Sequence, residues 1–287
     1  MTNRRSVLVT GARGMLGTDL CQVLSGANWR VIPADLAEFD ITDDAATRAF
    51  VTEQSPSVVI NCAAYTAVDG AEKEPEVAFR VNRDGARNVA AAAAEARAAL
   101  VQVSTDYVFD GTKATPYVED DEPHPLNVYG ASKLAGEVAA KETLAELYVV
   151  RTAWLYGVHG KSFPRTMLRL AQAGKPLRVV DDQVGSPTFT RHLAQALAII
   201  VERPLFGTYH VVNSGACSWH ELAKELFRAA GLAPEVTPIP TSAYPLPARR
   251  PSNSVLDTSK LAREYGHHLP RWQDAVEEFV RLWREQG

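Results

Sequence analysis

Tyr129 and Lys133 lie four positions apart, and their types and spacing suggest proton transfer. Residues at positions i and i+4 share one face of a helix, so the lysine cation is expected beside the phenol, where it favours the ionised form. A free tyrosine has a pKa of about 10, and a general acid works best when its pKa approaches the working pH. The pair predicts proton transfer by Tyr129, with an exposed tyrosine and lysine at a helix start as the alternative.

A glycine-rich loop follows the first apolar run of the chain, residues 7–10. Its spacing is G-x-x-G-x-x-G, and it leads directly into a helical stretch. In that setting glycine lets backbone N–H groups approach a pyrophosphate, and the positive end of the helix favours the phosphate charge. The loop predicts dinucleotide binding, with a tight turn that holds no ligand as the alternative. The expected contacts are Gly11, Arg13, Gly14, Met15, Leu16 and Gly17.

Two residues point to different dinucleotides. Asp35 follows the second predicted strand, about twenty residues after the loop, where a carboxylate accepts hydrogen bonds from the adenosine ribose and favours NADH. Arg13 carries a guanidinium that matches the geometry of the 2′-phosphate of NADPH. The sequence therefore leaves the choice between NADH and NADPH open. Asp40 and Ile41 are expected to flank the adenine, with capping and packing before the next helix as the alternative.

The next two predicted strands end in further groups at the same edge of the sheet. Small residues at Ala63 and Ala64, followed by Tyr65, would let a dinucleotide cross the carboxyl ends of the strands. Simple packing is the alternative for the two alanines. Thr105 comes directly after the fourth predicted strand, so its hydroxyl is expected near Tyr129.

The first half of the chain must fold so that these groups meet. Near-continuous apolar runs alternate with helical stretches, which predicts a doubly wound α/β fold with a parallel sheet covered on both faces. The predicted strands are residues 7–10, 30–34, 58–62, 100–104 and 148–152. The alanine-rich run over residues 85–100 favours a helix that packs closely on the sheet.

Proline becomes frequent after about residue 154, which indicates a second, smaller region. Its predicted helices are residues 163–173, 191–202, 218–230 and 272–284. Ser218 and Glu221 have the spacing of a capping box at the start of the third of these. We expect a dinucleotide-binding domain in residues 1–155 and a partly interleaved substrate-binding domain in residues 156–287.

The composition excludes several classes of protein. Apolar residues make up 46% and charged residues 22%, which is ordinary soluble usage. The formal charge of −4 offers no broad positive field for nucleic acid, and no apolar run is long enough to span a membrane. The start of the sequence leaves no room for a signal peptide, and three scattered cysteines suggest reduced thiols. A cytoplasmic protein with small-molecule partners is expected, and the histidines show no metal-ligand spacing.

Longer strings resemble a known family. The glycine spacing is typical of short-chain dehydrogenases, and the chain looks like an extended member of that superfamily. Nearly the whole chain resembles the dTDP-4-dehydrorhamnose reductase family. The strings that carry this resemblance are S-T-D-Y-V-F-D-G from Ser104, Y-G-A-S-K from Tyr129, R-T-A-W-L-Y-G from Arg151, D-Q-V-G-S-P-T from Asp182 and R-R-P-S-N-S-V-L-D from Arg249.

The resemblance implies a reaction and assigns its catalytic groups. The reaction is reduction of the C4 ketone of a dTDP-linked 4-keto-6-deoxyhexose by NADPH or NADH, which yields dTDP-L-rhamnose. By the superfamily pattern, Thr105 binds the carbonyl oxygen, Tyr129 gives the proton and Lys133 holds the nicotinamide ribose.

The resemblance also implies substrate contacts beyond the catalytic groups. Thr105 and Asp106 would contact the sugar nucleotide, as would Trp154, for which a core aromatic is the alternative. Arg250 and its neighbour Arg249 are expected either to bind the diphosphate or to be solvated. Some members of the family bridge subunits through magnesium held by glutamates. This sequence departs from that pattern, so we expect no metal site, and a monomer is expected as readily as a homodimer.

Three other functions share the fold. A sugar-nucleotide dehydratase needs an Asp-Glu pair after the threonine, whereas Tyr107 follows Asp106 here, so the second carboxylate is missing. A 4-epimerase would keep its cofactor bound through the cycle. A non-catalytic nucleotide-binding regulatory subunit would not require Thr105, Tyr129 and Lys133 together. The trio favours an enzyme, and the missing carboxylate favours a reductase.

Overall fold

The computed structural model describes residues 5–27 and 29–285. Most apolar runs in these ranges form short strands. In chain order the strands are β1 (Ser6–Thr10), β2 (Arg30–Ala34), β3 (Val58–Asn61), β4 (Ala99–Thr105), β5 (Leu147–Thr152), β6 (Leu155–Tyr156), β7 (Leu177–Val180), β8 (Val184–Gly185), β9 (Thr188–Phe189), β10 (Gly207–His210), β11 (Cys217–Ser218) and β12 (Val236–Ile239).

The helices fill most of the connections between these strands. They are α1 (Met15–Gly26), α2 (Asp44–Gln54), α3 (Val68–Ala71), α4 (Pro75–Phe79), α5 (Gly85–Glu95), α6 (Val128–Thr143), α7 (Phe163–Gln172), α8 (Thr190–Ile200), α9 (Trp219–Ala230), α10 (Ser259–Tyr265) and α11 (Trp272–Glu285). A π-helical turn over Arg80–Asp84 joins α4 to α5, and short 3₁₀ helices form over Asp106–Val108 and Thr241–Ala243.

Six strands form one parallel sheet in the order β10-β5-β4-β3-β1-β2. The chain leaves β1 toward β2 on one side and then returns to β3 on the other. Ligands bind at such a reversal, outside the carboxyl ends of the strands. The predicted doubly wound α/β fold is confirmed, and its reversal point lies beside the glycine loop.

Two apolar layers cover the sheet. Buried residues of α1 and α8 pack on one face, and buried residues of α2, α5 and α6 pack on the other. Because β10 and α8 come from the second half of the chain, that half completes the sheet of the first. The division near residue 155 stays a prediction, and the crossing of β10 and α8 agrees with the expected interleaving.

The structure corrects two details of the predicted sheet and its helices. The helix expected over residues 85–100 ends at Glu95, and Arg97 adopts a left-handed conformation with φ of +56° before β4 begins. The alanine-rich run therefore stops where the chain must turn into a buried strand. The sequence prediction also missed β10, because its residues G-T-Y-H are not a continuous apolar run.

The second region has its own apolar core, to which α7, α9 and α11 contribute. The predicted capping box at the start of α9 is confirmed: the Ser218 hydroxyl accepts from the Glu221 N–H, and the Glu221 carboxylate accepts from the Ser218 N–H. Throughout the described ranges, no helix is long and apolar enough to cross a membrane.

Candidate active site

A cavity of about 980 Å³ opens at the carboxyl edge of the parallel sheet. Every predicted catalytic and cofactor-binding residue lines it, and so do Asp106 and Trp154 of the predicted substrate contacts. The predicted residues that line it are Gly11, Arg13, Gly14, Met15, Leu16, Gly17, Asp35, Asp40, Ile41, Ala63, Ala64, Tyr65, Thr105, Asp106, Tyr129, Lys133 and Trp154. Arg250 lies outside this lining. Parallel strand ends have thus brought together residues that are far apart in sequence.

The glycine loop leaves no room for side chains at two positions. Gly11 has φ of +62°, and a Cβ on it would lie 2.8 Å from the Ala63 nitrogen. A Cβ on Gly17 would lie 2.2 Å from the Gly11 carbonyl oxygen. Gly14 is the N-cap of α1 and has no side chain to occupy the N–H groups of the first turn. Open N–H groups at the positive end of a helix are the groups that bind a phosphate, so the geometry suits the predicted phosphate cradle.

Arg13 and Asp35 line the end of the cavity beside the end of β2, which we call the adenosine end after its predicted role, and Glu38 lies next to them outside the lining. The Arg13 N–H donates to Asp35 Oδ2 at 2.9 Å, and the Arg13 guanidinium donates two hydrogen bonds of 2.7 Å to Glu38. Glu38 also accepts from the Asp35 N–H at 2.8 Å. The charge of Arg13 is therefore already paired. Nearby, Asp40 accepts from the Thr42 N–H at 2.8 Å.

The opposite end of the cavity is lined by Thr105, Asp106, Tyr129 and Lys133, and we call it the catalytic end after the role predicted for them. Thr105 ends β4, and its hydroxyl donates to Asp106 Oδ1 at 3.0 Å while accepting from the Tyr107 N–H at 3.2 Å. Thr105 and Asp106 are both buried. Burial raises the pKa of Asp106 to about 7, against the smaller lowering effects of the Ser254 and Thr105 hydroxyls. The two hydrogen bonds of Thr105 fix the position of its hydroxyl at the cavity wall.

Tyr129, the predicted proton donor, lies in the first turn of α6. Asn127 caps that helix by accepting from the Gly130 N–H at 2.8 Å. Desolvation raises the pKa of Tyr129 to about 12; the nearby Thr105 hydroxyl lowers it and the Asp106 charge raises it by smaller amounts. The sequence-based expectation that Lys133 lowers the pKa of this phenol is therefore wrong for this structure, because burial dominates.

Lys133 points into the protein. Its Nζ donates to the Val103 carbonyl oxygen at 2.7 Å, and desolvation lowers its pKa to about 8 while the Glu137 charge raises it. One turn further along α6, Glu137 accepts two hydrogen bonds from Arg151, at 3.0 and 2.8 Å, and one from the Ser104 hydroxyl at 2.5 Å. A buried ion pair therefore anchors α6 to β4 and β5, and with it the positions of Tyr129 and Lys133.

Asn82, in the π-helical turn, ties α6 to the loop after β3. Its amide nitrogen donates to the Ser132 hydroxyl at 2.9 Å and to the Tyr65 carbonyl oxygen at 3.0 Å, and its amide oxygen accepts from the Tyr65 N–H at 2.9 Å. Helical bulges of this kind are frequent at functional sites. The sequence offers no periodic signal for this bulge, and Asn82 was not predicted.

Trp154 lies at the mouth of the cavity in a strained conformation, with φ of +46°. Its ring stacks on Trp219 with a centroid distance of 3.5 Å and an interplanar angle of 6°. A Cβ on Gly185 would lie 2.4 Å from the Trp154 ring, so glycine is required there. Trp154 is half-buried and lines the cavity, so it is not a fully buried core residue, which was the alternative interpretation of its sequence position.

A second cavity of about 940 Å³ lies beside the first, and Trp219 lines both. Its walls come from α7, β7 and the proline-rich segment that carries Arg249 and Arg250. The Arg250 guanidinium binds the Asp69 carboxylate through hydrogen bonds of 3.0 and 2.7 Å. Its binding to a diphosphate stays a prediction, and a diphosphate would have to compete with Asp69. Arg249 is exposed at the same wall.

Sequence reasoning missed three partners of the predicted residues. Glu38 was visible only as an acidic residue three positions after Asp35. Asp69 lies 181 positions from Arg250, and no pattern links the two. Trp219 is the first residue of α9, but nothing in its surroundings indicated that the helix start faces the cavity.

A parallel sheet, a glycine-loop cradle at its reversal point, and Thr105, Tyr129 and Lys133 at the same edge define a Rossmann-type extended short-chain dehydrogenase. Comparison with known proteins gives the family. The model described as "RmlD substrate binding domain" matches residues 5–284. The chain belongs to this family.

Named relatives cover nearly the whole chain. A dTDP-4-dehydrorhamnose reductase of Streptomyces griseus is 45% identical over 96% of this chain and 90% of its own length. A reductase of the same name from Burkholderia thailandensis is 42% identical over 96% and 98%. The crystal structure of dTDP-4-dehydrorhamnose reductase from Bacillus anthracis in complex with NADP has a TM-score of 0.95 and 40% identity, covering 97% of this chain and 99% of that one.

Proposed function

We propose that this protein reduces the C4 ketone of dTDP-4-dehydro-L-rhamnose to dTDP-L-rhamnose, using NADPH or NADH. One observation carries the proposal: the hydroxyl side chains of Thr105 and Tyr129 line the same cavity as the glycine loop, at the carboxyl edge of the parallel sheet. A ketone between the two hydroxyls would meet a proton donor and a second polar group. The names of the relatives point to the same reaction.

The residues present fit a nicotinamide dinucleotide. The backbone around Gly11 and Gly17 makes a space that any Cβ would fill, and the open first turn of α1 faces it. The cavity runs from the adenosine end at β2 to the catalytic end at β4, three strand spacings or about 14 Å. A bound nicotinamide would supply the hydride, and the protein would supply position, charge and the proton.

Tyr129 would act as the proton donor. With its pKa raised to about 12, the phenol is protonated at neutral pH, which is the state that a general acid needs. As negative charge develops on the substrate oxygen, the O–H of Tyr129 can pass its proton to that atom. Thr105, held by Asp106, would orient the carbonyl oxygen from the other side.

Lys133 would support the proton donor from within α6. Its pKa of about 8 leaves it charged at neutral pH, and its Nζ is held on the Val103 carbonyl oxygen. From there the ammonium would donate to the hydroxyls of a bound nicotinamide ribose and so hold the hydride donor near Tyr129. The buried Glu137 carboxylate raises the pKa of Lys133 and helps to keep it charged.

The second cavity is the proposed site for the thymidine diphosphate. It opens beside Trp154 and Trp219, and its wall carries Arg249 and Arg250. Aromatic faces accept a sugar or a base by stacking, and guanidinium groups bind diphosphate oxygens by charge-assisted hydrogen bonds. A substrate that spans both cavities would place its keto-sugar between the tryptophan pair and Tyr129.

Two rival functions, dehydratase and non-catalytic subunit, account less well for the residues present at this site. Tyr107 stands where a dehydratase needs a second carboxylate, and its ring packs edge-on against Tyr129 at 5.8 Å. A non-catalytic subunit would not need the Thr105, Tyr129 and Lys133 arrangement.

The free thiols of Cys21, Cys62 and Cys217 agree with the proposed cytoplasmic location, and both a monomer and a homodimer agree with the proposal.

The test follows NADPH and NADH oxidation separately with dTDP-4-dehydro-L-rhamnose, and identifies the product by NMR. We expect one equivalent of dinucleotide oxidised for each dTDP-L-rhamnose formed. The matched control is dTDP-glucose, which keeps the nucleotide but has no ketone at C4, and it should give no oxidation. Oxidation of neither dinucleotide would overturn the proposal, and purified protein that carries stoichiometric oxidised cofactor would favour an epimerase instead.

A further inference from the structure

The ion pair at the adenosine end is a feature that the reduction itself does not use. The Arg13 guanidinium binds both Glu38 carboxylate oxygens, each at 2.7 Å, in the fork geometry that the guanidinium also uses for phosphate. The Arg13 side chain is 61% exposed and that of Glu38 is 28% exposed. An exposed pair of this kind is weak enough for a ligand to exchange.

The groups around the Arg13–Glu38 pair indicate which part of a bound dinucleotide the pair would affect. Both Asp35 oxygens accept backbone N–H groups, from Arg13 and Leu36, each at 2.9 Å. Asp35 and Glu38 therefore place two carboxylates beside the end of β2, where the adenosine ribose of a dinucleotide lies. A 2′-hydroxyl could donate to Asp35, which lines the cavity. A 2′-phosphate would be repelled by both carboxylates and could bind only by taking Arg13 away from Glu38.

We propose that Glu38 sets the dinucleotide preference of this protein by competing with the 2′-phosphate of NADPH for the Arg13 guanidinium. This inference rests on the proposed function, since it assumes that a nicotinamide dinucleotide occupies the cavity. Glu38 lowers the affinity for the phosphorylated dinucleotide and leaves that for NADH almost unchanged. The protein can then use both dinucleotides. NADH leaves the ion pair of Arg13 and Glu38 intact, whereas NADPH binds when its 2′-phosphate replaces Glu38 on the Arg13 guanidinium.

A merely structural role for Glu38 makes a different prediction. Glu38 accepts from the Asp35 N–H at 2.8 Å and so also supports the turn after β2. Glutamine at position 38 keeps an acceptor oxygen for that N–H but loses the charge that holds Arg13. If Glu38 only supports the turn, Glu38→Gln should leave the relative affinity for the two dinucleotides unchanged.

The experiment measures the dissociation constants of NADP⁺ and NAD⁺ by isothermal titration calorimetry, with no sugar present. In Glu38→Gln we expect the preference for NADP⁺ over NAD⁺ to rise about tenfold, as the loss of one exposed ion pair and one nearby negative charge implies. Glu53→Gln removes the same charge from an exposed position on α2 outside the cavity lining, and should shift the preference less than twofold.

A cycle with Arg13→Gln isolates the competition. In that background Glu38→Gln should shift the preference less than threefold, since no guanidinium remains to be released. Melting temperatures of all variants check that the fold is retained. If wild-type protein binds both dinucleotides and Glu38→Gln leaves their ratio within twofold, the inference on Glu38 is wrong while the proposed function stands. If wild-type protein binds neither dinucleotide, both are wrong.

Discussion

Thr105 and Lys133, at the catalytic end of the cavity, are buried and bonded to protein groups, whereas Arg13 and Glu38, at the adenosine end, meet in solvent. At the catalytic end, desolvation dominates the pKa values of Asp106, Tyr129 and Lys133. At the adenosine end, hydrogen bonds within the pair dominate, and Arg13 lowers the pKa of Glu38 to about 2.

The difference separates two tasks. Proton transfer requires groups whose positions and protonation states are set before the substrate arrives, and burial sets both. Discrimination between two dinucleotides that differ by one phosphate requires a charge that can change partners, and an exposed ion pair allows this. The glycine cradle lies between the two ends and should serve both dinucleotides equally.

The largest expected effect concerns the proton donor. Tyr129→Phe should lower kcat by about 10³-fold, as the removal of a general acid implies, while the Kd of NADP⁺ stays within twofold of wild type. Tyr156→Phe is the control, because the Tyr156 hydroxyl is buried and has no hydrogen-bond partner among the described residues. Steady-state kinetics and calorimetry measure the two quantities. Turnover of Tyr129→Phe near the wild-type rate would assign the proton to another group.

The second prediction concerns the free energy of unfolding and its dependence on the buried Asp106 carboxyl at the catalytic end. Burial raises the pKa of Asp106 from 3.8 to about 7, so between these pH values the folded state binds more protons than the unfolded state. The stability that this bound proton contributes is lost as the pH rises through 7. Asp106→Asn carries no charge, so at pH 8 its free energy of unfolding should exceed that of wild type by about 4 kcal/mol, three pKa units at 1.36 kcal/mol each.

The comparison of wild type and Asp106→Asn is made by urea unfolding at several pH values. The gain should shrink toward zero as the pH falls to 4 and below, where the carboxyl of wild type is protonated in the folded state and becomes protonated in the unfolded state. Asp120→Asn, at an exposed position, should show no such pH dependence. A gain that is equal at pH 4 and pH 8 would mean that the ionisation of Asp106 is not its source.

The third prediction concerns the glycine loop, where a substitution should change the affinities for NADP⁺ and NAD⁺ by the same factor. Gly17→Ala places a Cβ 2.2 Å from the Gly11 carbonyl oxygen, so we expect the affinities for NADP⁺ and NAD⁺ to fall together, by about 100-fold or 2.7 kcal/mol. Gly26→Ala, at the other end of the same helix, has nothing within 4 Å and should instead stabilise the fold by about 0.5–1 kcal/mol. Loss of affinity for only one dinucleotide in Gly17→Ala would break the assignment of a shared cradle.

Much of the site was predictable from local pattern. The i, i+4 spacing places Tyr129 and Lys133 on α6, and strand ends that carry Thr105, Asp35 and Ala63 meet because parallel strands share one carboxyl edge. Local pattern needs only the period of a helix or strand, which the sequence displays directly.

What could not be predicted depends on long-range packing. The bond between Arg250 and Asp69 and the stack of Trp154 on Trp219 join positions whose distance in sequence carries no pattern. The direction of the Tyr129 pKa shift was predicted wrongly, because spacing indicates that a lysine is near but not how deeply the phenol is buried.

The double variant Tyr129→Phe/Glu38→Gln tests the central claim, that the catalytic end performs the chemistry and the adenosine end selects the dinucleotide. With keto-sugar saturating, kcat and kcat/KM for NADPH and NADH are measured in all four proteins. The ends lie about 14 Å apart, so their effects should multiply within about twofold: the double variant should combine the about 10³-fold lower kcat of Tyr129→Phe with the NADPH preference of Glu38→Gln. A preference that changes with Tyr129, or a kcat restored by Glu38→Gln, would contradict the account.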